Sequence, residues 1–172
     1  MKKIIALLFC MGIFFYSHAQ RFAYVDSQYI LSKIPEYKTA QDELNQLSVQ
    51  WQKEIEGKYS EIDQLYKAYK ADEVLLTEDM KQKRQTEIEQ KEQEVKDLQK
   101  QRFGVGGDLF KKRQELVKPL QDKIYTAVQD LAEKENLAVI FDKSSDLTML
   151  YTSTKYDKSD EILKSIEGSK KK

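Results

Sequence analysis

The chain has a single cysteine, Cys10, and a single histidine, His18, among its 172 residues. Both lie in an N-terminal stretch where Lys2 and Lys3 precede an apolar run that ends in small residues, the pattern of a secretory signal peptide. We expect cleavage after Ala19, so that residues 1–19 are removed. The mature protein then has no thiolate and no imidazole, which excludes a Cys/His zinc site, a Ser-His-Asp triad and a disulfide-stapled fold.

An excess of charge of one sign is also missing. The chain has 29 Lys+Arg and 29 Asp+Glu, and the loss of Lys2 and Lys3 leaves 27 basic against 29 acidic residues. The two signs are interspersed, except in the short basic tail at residues 170–172. Nucleic-acid-binding proteins normally gather a basic surplus on one face. We therefore expect no nucleic acid partner.

Paired carboxylates occur, for example Asp42-Glu43 and Glu78-Asp79. Two acids are the catalytic pair of a glycosidase, but on a highly charged helix they are typical of a solvated face with i,i+4 partners. A phosphate-binding loop would need a preceding strand and a following Gly-Lys-Ser/Thr, which this sequence lacks. The sequence therefore predicts no enzyme activity, no metal site and no cofactor.

Helix-breaking residues are rare over about a hundred positions. Between residues 36 and 136 the only proline is Pro119, and the only glycine outside one cluster is Gly57. The remaining residues are mostly strong helix formers. An apolar run out of phase with its surroundings, followed by Thr77 and two acids, predicts a turn at about residues 72–77 with Thr77 as the N-cap. We expect a long antiparallel helical hairpin over residues 36–136.

The outgoing arm of this hairpin, to about residue 71, has apolar residues three or four positions apart, as in a coiled-coil seam. The start of the returning arm is much poorer in apolar residues, so part of the aromatic surface of the first arm lacks a partner. With a turn centred near residue 74, residues 112–136 extend past the hairpin. They are strongly apolar, and we expect them to continue into a separate body.

The two ends of the mature chain, residues 20–35 and 137–172, are predicted to form that body. Short runs of β-forming residues predict strands at 22–26, 138–142 and 147–152, with a short helix after the first and another at the end. Three short strands make a marginal core, so we expect an oligomer. The candidate residues of the body or trimer core are Ala23, Val25, Leu116, Leu120, Ile124, Val128, Val139, Phe141, Met149 and Tyr151.

One short stretch, QRFGVGGDLF at residues 101–110, contains three of the six glycines. Each glycine costs about 1 kcal/mol relative to alanine inside a helix, so the helix is expected to unwind or bend there. Gly104, Gly106 and Gly107 are a candidate hinge that lets the hairpin splay. The alternative is a tight crossing where larger side chains would clash.

Three stretches resemble a known family. FAYVDSQYILSKIPEY follows the signal peptide, ELVKPLQDKIYTAVQDLAEKENLAVIFD ends the long helix, and YDKSDEILKSI lies near the C-terminus. Together they resemble the Skp/OmpH family of periplasmic chaperones for outer-membrane proteins, over essentially the whole mature chain. The resemblance implies a mainly α fold with a small β body (α+β), assembled as a jellyfish-like homotrimer whose hairpin tentacles enclose a cavity.

The implied activity is that of an ATP-independent periplasmic holdase for unfolded outer-membrane β-barrel proteins. Contact with the outer-membrane insertion machinery or the membrane surface is left open, and the competing hypothesis is a structural coiled-coil scaffold or spacer of the cell envelope. Family members can have strongly basic tentacles, whereas this hairpin is nearly neutral, which favours apolar contacts with clients. The alternative is that these side chains only fill the hairpin seam. The candidate client-contact residues are Trp51, Ile55, Tyr59, Ile62, Tyr66, Tyr69, Met80 and Ile88.

Overall fold

A computed structural model describes residues 21–145 and 149–169. Along the chain, its elements are strand β1 (Phe22–Val25), helices α1 (Ser27–Lys33), α2 (Pro35–Asp72), α3 (Glu78–Phe103) and α4 (Asp108–Glu135), strand β2 (Val139–Asp142), a 3-10 turn (Thr154–Tyr156) and helix α5 (Ser159–Ser169). The fold is mainly helical with one small sheet, as predicted. The predicted signal peptide, residues 147–148 and the basic tail lie outside the described residues.

The chain divides into two compact units. The hairpin unit comprises residues 31–122, and the body unit comprises the described residues of 21–30 and 123–169. Helix α4 contributes to both units, and the proline within it, Pro119, does not end the helix. The predicted hairpin, residues 36–136, extends further along α4 than the hairpin unit does.

Helices α2 and α3 pack against each other along a buried seam. Their lengths of 38 and 26 residues correspond to roughly 57 and 39 Å at about 1.5 Å per residue. Along α2 the buried residues Ile55, Ile62 and Tyr69 recur every seventh position, and α3 contributes Ile88 and Val95 to the same cluster. This heptad spacing keeps the apolar side chains on the contacting face of each helix. Partly buried leucines complete the seam: Leu65, Leu76 and Leu98.

A short turn joins the two helices at the place where the sequence predicts it. Helix α2 ends at Asp72 and helix α3 begins at Glu78. The Thr77 side chain accepts a hydrogen bond from the Met80 amide at 3.4 Å, which confirms the predicted N-cap. Glu78 and Asp79 follow in the first turn, where negative charge is favourable.

The body unit contains a parallel two-stranded sheet in which Phe22 pairs with Val139 and Val25 with Asp142. Asp142 links this sheet to α1, because its carboxylate accepts hydrogen bonds from the Ser27 amide at 3.1 Å and the Ser27 hydroxyl at 2.6 Å. The fully or nearly fully buried apolar side chains of the body are Ala23, Tyr24, Val25, Ile30, Ile124, Ala127, Ile162 and Ile166.

The predicted third strand at residues 147–152 is wrong for its described part. Residues 149–152 have no strand assignment, and Leu150 and Tyr151 are 96% and 85% exposed. A β-forming sequence becomes a strand only when another strand pairs with it. Further along the chain, Asp157 forms an isolated bridge with Tyr24, and the Lys158 amide donates a hydrogen bond to the Tyr24 carbonyl at 2.9 Å. These later residues therefore pair with β1 in place of the predicted strand.

The candidate core residues fall into three groups. Ala23, Val25, Leu120 and Ile124 are buried, whereas Leu116, Val128 and Met149 are partly buried. Val139, Phe141 and Tyr151 are 47%, 40% and 85% exposed, so one chain alone does not bury them in its body. The strand alternates its side chains, and β2 turns Val139 and Phe141 to the face that the single chain leaves open. Their place in a trimer core stays a prediction.

Candidate functional site

The apolar residues of α2 form two rows. The first row, Ile55, Ile62 and Tyr69, is only 3%, 8% and 5% exposed and fills the seam. The second row consists of Tyr59 and Tyr66, each four positions after an isoleucine of the first row. These tyrosines are 44% and 51% exposed. We call Tyr59 and Tyr66 the exposed tyrosines. Their rings lie beside a seam that is already closed, and the Lys70 ammonium lies 5.8 Å from the centroid of the Tyr66 ring.

Four of the candidate client-contact residues are therefore corrected. Ile55, Ile62, Tyr69 and Ile88 pack in the seam between α2 and α3 and cannot contact a client while the hairpin is folded. The Tyr69 hydroxyl is also occupied, since it accepts a hydrogen bond from the Gln85 amide nitrogen at 2.9 Å. The returning arm is poorer in apolar residues than its partner, but those that it has occupy the seam.

Met80 lies in the first turn of α3 and is 50% exposed, so it stays a candidate client-contact residue. The turn before it also exposes Val74 and Leu75, at 93% and 84%. These two residues were absent from the predicted client contacts. Their signal in the sequence is the apolar run that marks the turn, which predicts a change of helix phase.

Trp51 packs against the end of α3. Its ring meets Phe103 edge to face at a centroid distance of 6.2 Å, and the Arg102 guanidinium lies 4.8 Å from its centroid. Cation–π contacts of this kind contribute about 0.5–2 kcal/mol. Trp51 is thus a partly buried structural residue, and little of its ring is left for a client.

Arg102 connects three helices of the hairpin unit. Its guanidinium pairs with Asp108 at the start of α4 at 2.8 Å and with Glu54 on α2 at 3.5 Å, while it stacks on Trp51. Sequence reasoning missed this residue, because an arginine on a charged helix carries no local signal of partners that lie far along the chain. Arg102 holds the two ends of the helix break at a fixed separation.

The break itself is a tight turn. The Gly104 amide donates to the Lys100 carbonyl at 2.8 Å, and the Gly107 amide donates to the Gly104 carbonyl at 2.8 Å. Gly106 has φ +72°, a conformation that favours glycine. A Cβ on Gly104 would overlap the Lys100 carbonyl oxygen, and one on Gly107 would lie 2.6 Å from the Gln101 carbonyl oxygen. These contacts support the tight-packing alternative, and the hinge stays a prediction.

Pairs across the hairpin also correct its predicted centre. Trp51 faces Phe103, and Glu43 pairs with Lys112 at 3.2 Å, which places the centre at about residue 77 rather than 74. A hairpin centred at residue 74 would place the glycine turn opposite a given part of α2. The observed centre places the turn opposite α2 residues that lie about six positions later in the chain.

The charged surface of the hairpin is extensively paired. Ion pairs three or four residues apart include Lys67–Asp63 at 2.6 Å, Lys70–Glu73 at 3.1 Å and Lys81–Glu78 at 2.8 Å. The hydrogen bond from Lys70 holds the pKa of Glu73 below its usual value, and the hydrogen bond to Glu73 raises the pKa of Lys70. Exposed pairs contribute only about 0–1 kcal/mol each.

Neither a metal site nor a membrane-spanning helix is found in the described part of the chain. No group of three or more His, Cys, Asp or Glu side chains there is arranged to hold a metal ion. Within residues 21–145 and 149–169, no helix combines the length and the apolar character that crossing a bilayer requires.

Comparison with known proteins identifies the family and a shared fold. A family model described as outer membrane protein (OmpH-like) matches residues 21–166. The chain belongs to the OmpH-like family. An uncharacterized protein from Aquifex aeolicus (strain VF5) is 33% identical over 168 residues, which cover 97% of each chain. A crystal structure of a candidate outer membrane chaperone (OmpH-like) from Caulobacter crescentus CB15 has a TM-score of 0.70 at 13% identity, covers 88% of this chain and 86% of its own, and shares the fold.

Proposed function

We propose that this OmpH-like protein is an ATP-independent holdase that keeps unfolded outer-membrane β-barrel proteins soluble in the periplasm. Membership of the OmpH-like family supports a chaperone role, and the protein from Caulobacter crescentus is described as a candidate outer membrane chaperone. The observation that carries the proposal is the exposure of Tyr59 and Tyr66 on a hairpin whose seam is already closed.

Client binding would rest on apolar contact. Strands of outer-membrane barrels alternate apolar and polar residues, so an unfolded segment presents apolar side chains that pack on a tyrosine ring. The tyrosine hydroxyl adds a hydrogen bond to client backbone without a fixed sequence requirement. Each such contact is weak, but several hairpins acting on one chain raise the overall affinity through effective concentration.

The proposed active form is a homotrimer whose hairpins surround the client. Its support within one chain is the amount of apolar surface left open on a small body: Val139 and Phe141 on the sheet, and Leu150 and Tyr151 after it. A two-stranded sheet is marginal by itself in water, and contiguous exposed apolar surface is typical of interaction sites. Association of copies through this surface would bury it.

An aggregation assay separates the holdase from a fixed scaffold of the cell envelope. Two unrelated outer-membrane barrels are diluted from urea with the purified protein at a stoichiometric ratio, without nucleotide, and light scattering is followed. A holdase suppresses the aggregation of both barrels, and added ATP changes nothing. Suppression of neither barrel, with the protein folded and oligomeric by light scattering, contradicts the proposal and favours the scaffold.

A further inference from the structure

The body unit contains a cleft of about 300 Å³ beside the start of β1. This is the lower end of the volume range of small-molecule sites. One wall is apolar and is formed by Phe22, Leu137 and Tyr156. The rings of Phe22 and Tyr156 stack at a centroid distance of 4.9 Å with an interplanar angle of 26°, so this wall has a fixed shape. The proposed chaperone function does not involve this cleft.

The rim of the cleft is basic, with Arg21, Lys155 and Lys158. Lys158 is neutralised by Glu135 at 3.0 Å and Glu161 at 2.7 Å, and Arg21 lies 3.8 Å from the carboxylate of Glu135. The hydrogen bond from Lys158 holds the pKa of Glu135 below its usual value, so this pair is charged at neutral pH. Glu135 lines the cleft and Glu161 pairs with Lys158 without lining it, so these two carboxylates offset two of the three cations and one positive charge is left over.

That charge is carried by Lys155. Its ammonium lies 5.7 Å from the centroid of the Tyr156 ring, directly at the apolar wall. Within the described part of the chain, Lys155 forms no ion pair, whereas the other two rim cations do. A single uncompensated cation next to an aromatic wall matches a ligand with one negative charge and one apolar group.

We propose that this cleft binds small apolar carboxylates, with the carboxylate at Lys155 and the apolar group against Phe22 and Tyr156. Two sources share this chemistry: a free carboxylic acid, and the C-terminal residue of a polypeptide with an apolar side chain. Arg21, which is 60% exposed, is the second cation within reach of the carboxylate. The binding does not require the chaperone activity, and either one stands if the other fails.

The test is a titration of the whole protein with four defined probes, followed by NMR of the aromatic side chains. The probes are 3-phenylpropionate, N-acetylphenylalanine, N-acetylphenylalaninamide and acetate. The two apolar carboxylates are expected to bind with dissociation constants on the order of a millimolar and to shift the ring signals of Phe22 and Tyr156. The amide lacks the charge and acetate lacks the ring, so both are expected to bind at least about tenfold more weakly.

Lys155→Gln is expected to weaken binding of both carboxylates about tenfold and to leave the amide unaffected. Lys164→Gln is the matched control, because Lys164 is an exposed lysine on α5 that does not line the cleft. Tighter binding of N-acetylphenylalanine than of 3-phenylpropionate identifies a polypeptide C-terminus as the source, and the reverse identifies a free acid. The proposal is overturned if neither carboxylate binds, if the amide binds equally well, or if Lys155→Gln binds as the wild type does.

Discussion

The hairpin unit and the body unit differ in where one chain leaves apolar side chains exposed. In the hairpin, Ile62, Ile88 and Val95 are 8%, 8% and 1% exposed, and the charged faces around them are paired. In the body, the sheet leaves Val139 and Phe141 nearly half exposed. In the hairpin the seam is closed and the exposed apolar side chains lie beside it, at Tyr59 and Tyr66, and in the turn, whereas in the body they lie on the sheet itself, which we propose is covered by further copies.

The largest effect is expected at the seam. Val95→Asp places a carboxylate at a position that is 1% exposed, without a partner, and should destabilise the hairpin by about 3–5 kcal/mol. Urea unfolding followed by circular dichroism measures this. Gln99→Asp introduces the same charge at an exposed position of α3 and should change stability by less than about 0.5 kcal/mol. Equal effects of the two substitutions would mean that the seam is not the stabilising element.

The next effect concerns assembly. Replacing Val139 and Phe141 together by serine removes the open apolar face of the sheet but none of the side chains that are buried in the body, so it should convert the proposed trimer to monomers and leave the helical signal intact. Light scattering gives the mass, and circular dichroism gives the helicity. An unchanged mass would show that this face is not the contact between copies, and a loss of helicity would show that it supports the fold of one chain.

Two glycines of the hairpin unit should respond to alanine in opposite directions. Gly104→Ala forces a Cβ against the Lys100 carbonyl and should destabilise by more than about 1 kcal/mol. A Cβ on Gly57, inside α2, meets nothing within 4 Å, so Gly57→Ala should stabilise by about 0.5–1 kcal/mol. Thermal unfolding of the two variants measures the contrast. Destabilisation by both, or by neither, contradicts the tight turn.

A smaller effect is the acid sensitivity of the body. Burial raises the pKa of Asp142, but hydrogen bonds from Ser27 and Ser144 outweigh it and hold the pKa below its usual value. The folded state therefore binds this proton more weakly than the unfolded state, whose pKa is about 3.9. The stabilisation is fully present above that pH and is lost as the pH falls through the lower folded pKa.

Asp142→Asn should therefore flatten the decline in stability below about pH 4. Unfolding midpoints measured across this range test it, with Asp130→Asn, at an exposed position of α4, as the control. A variant whose midpoints decline as steeply as those of the wild type would exclude Asp142 as the titrating group.

Much of the hairpin follows from local chemistry. The turn at Thr77 was predictable because capping depends on neighbouring residues, and the structure shows the bond to the Met80 amide. Which row of α2 is buried was not predictable from α2 alone. Both Ile55–Ile62 and Tyr59–Tyr66 satisfy the heptad spacing, and the choice between them is made by where Ile88 and Val95 of α3 pack.

Non-local contacts limit the rest of the prediction. The segment at residues 149–152 has β-forming residues, but strand pairing depends on the edges that other segments occupy, and Asp157 bridges to β1 instead. Arg102 gives no local signal, because its partners Glu54 and Trp51 lie about fifty positions away. The spacing of apolar residues therefore predicts helices and strands well. It predicts which segments pack together only where a helix has a single apolar face.

The central claim is that the exposed tyrosines bind clients by apolar contact. The most direct measurement is the affinity of one unfolded outer-membrane barrel for the wild type, for a variant with Tyr59→Ser and Tyr66→Ser, and for a variant with phenylalanine at both positions, all with the same oligomeric mass. The affinity of the serine variant is expected to be at least about tenfold weaker than that of the wild type. The affinity of the phenylalanine variant is expected to stay within about threefold of the wild type. Equal affinity of the serine variant and the wild type would contradict it.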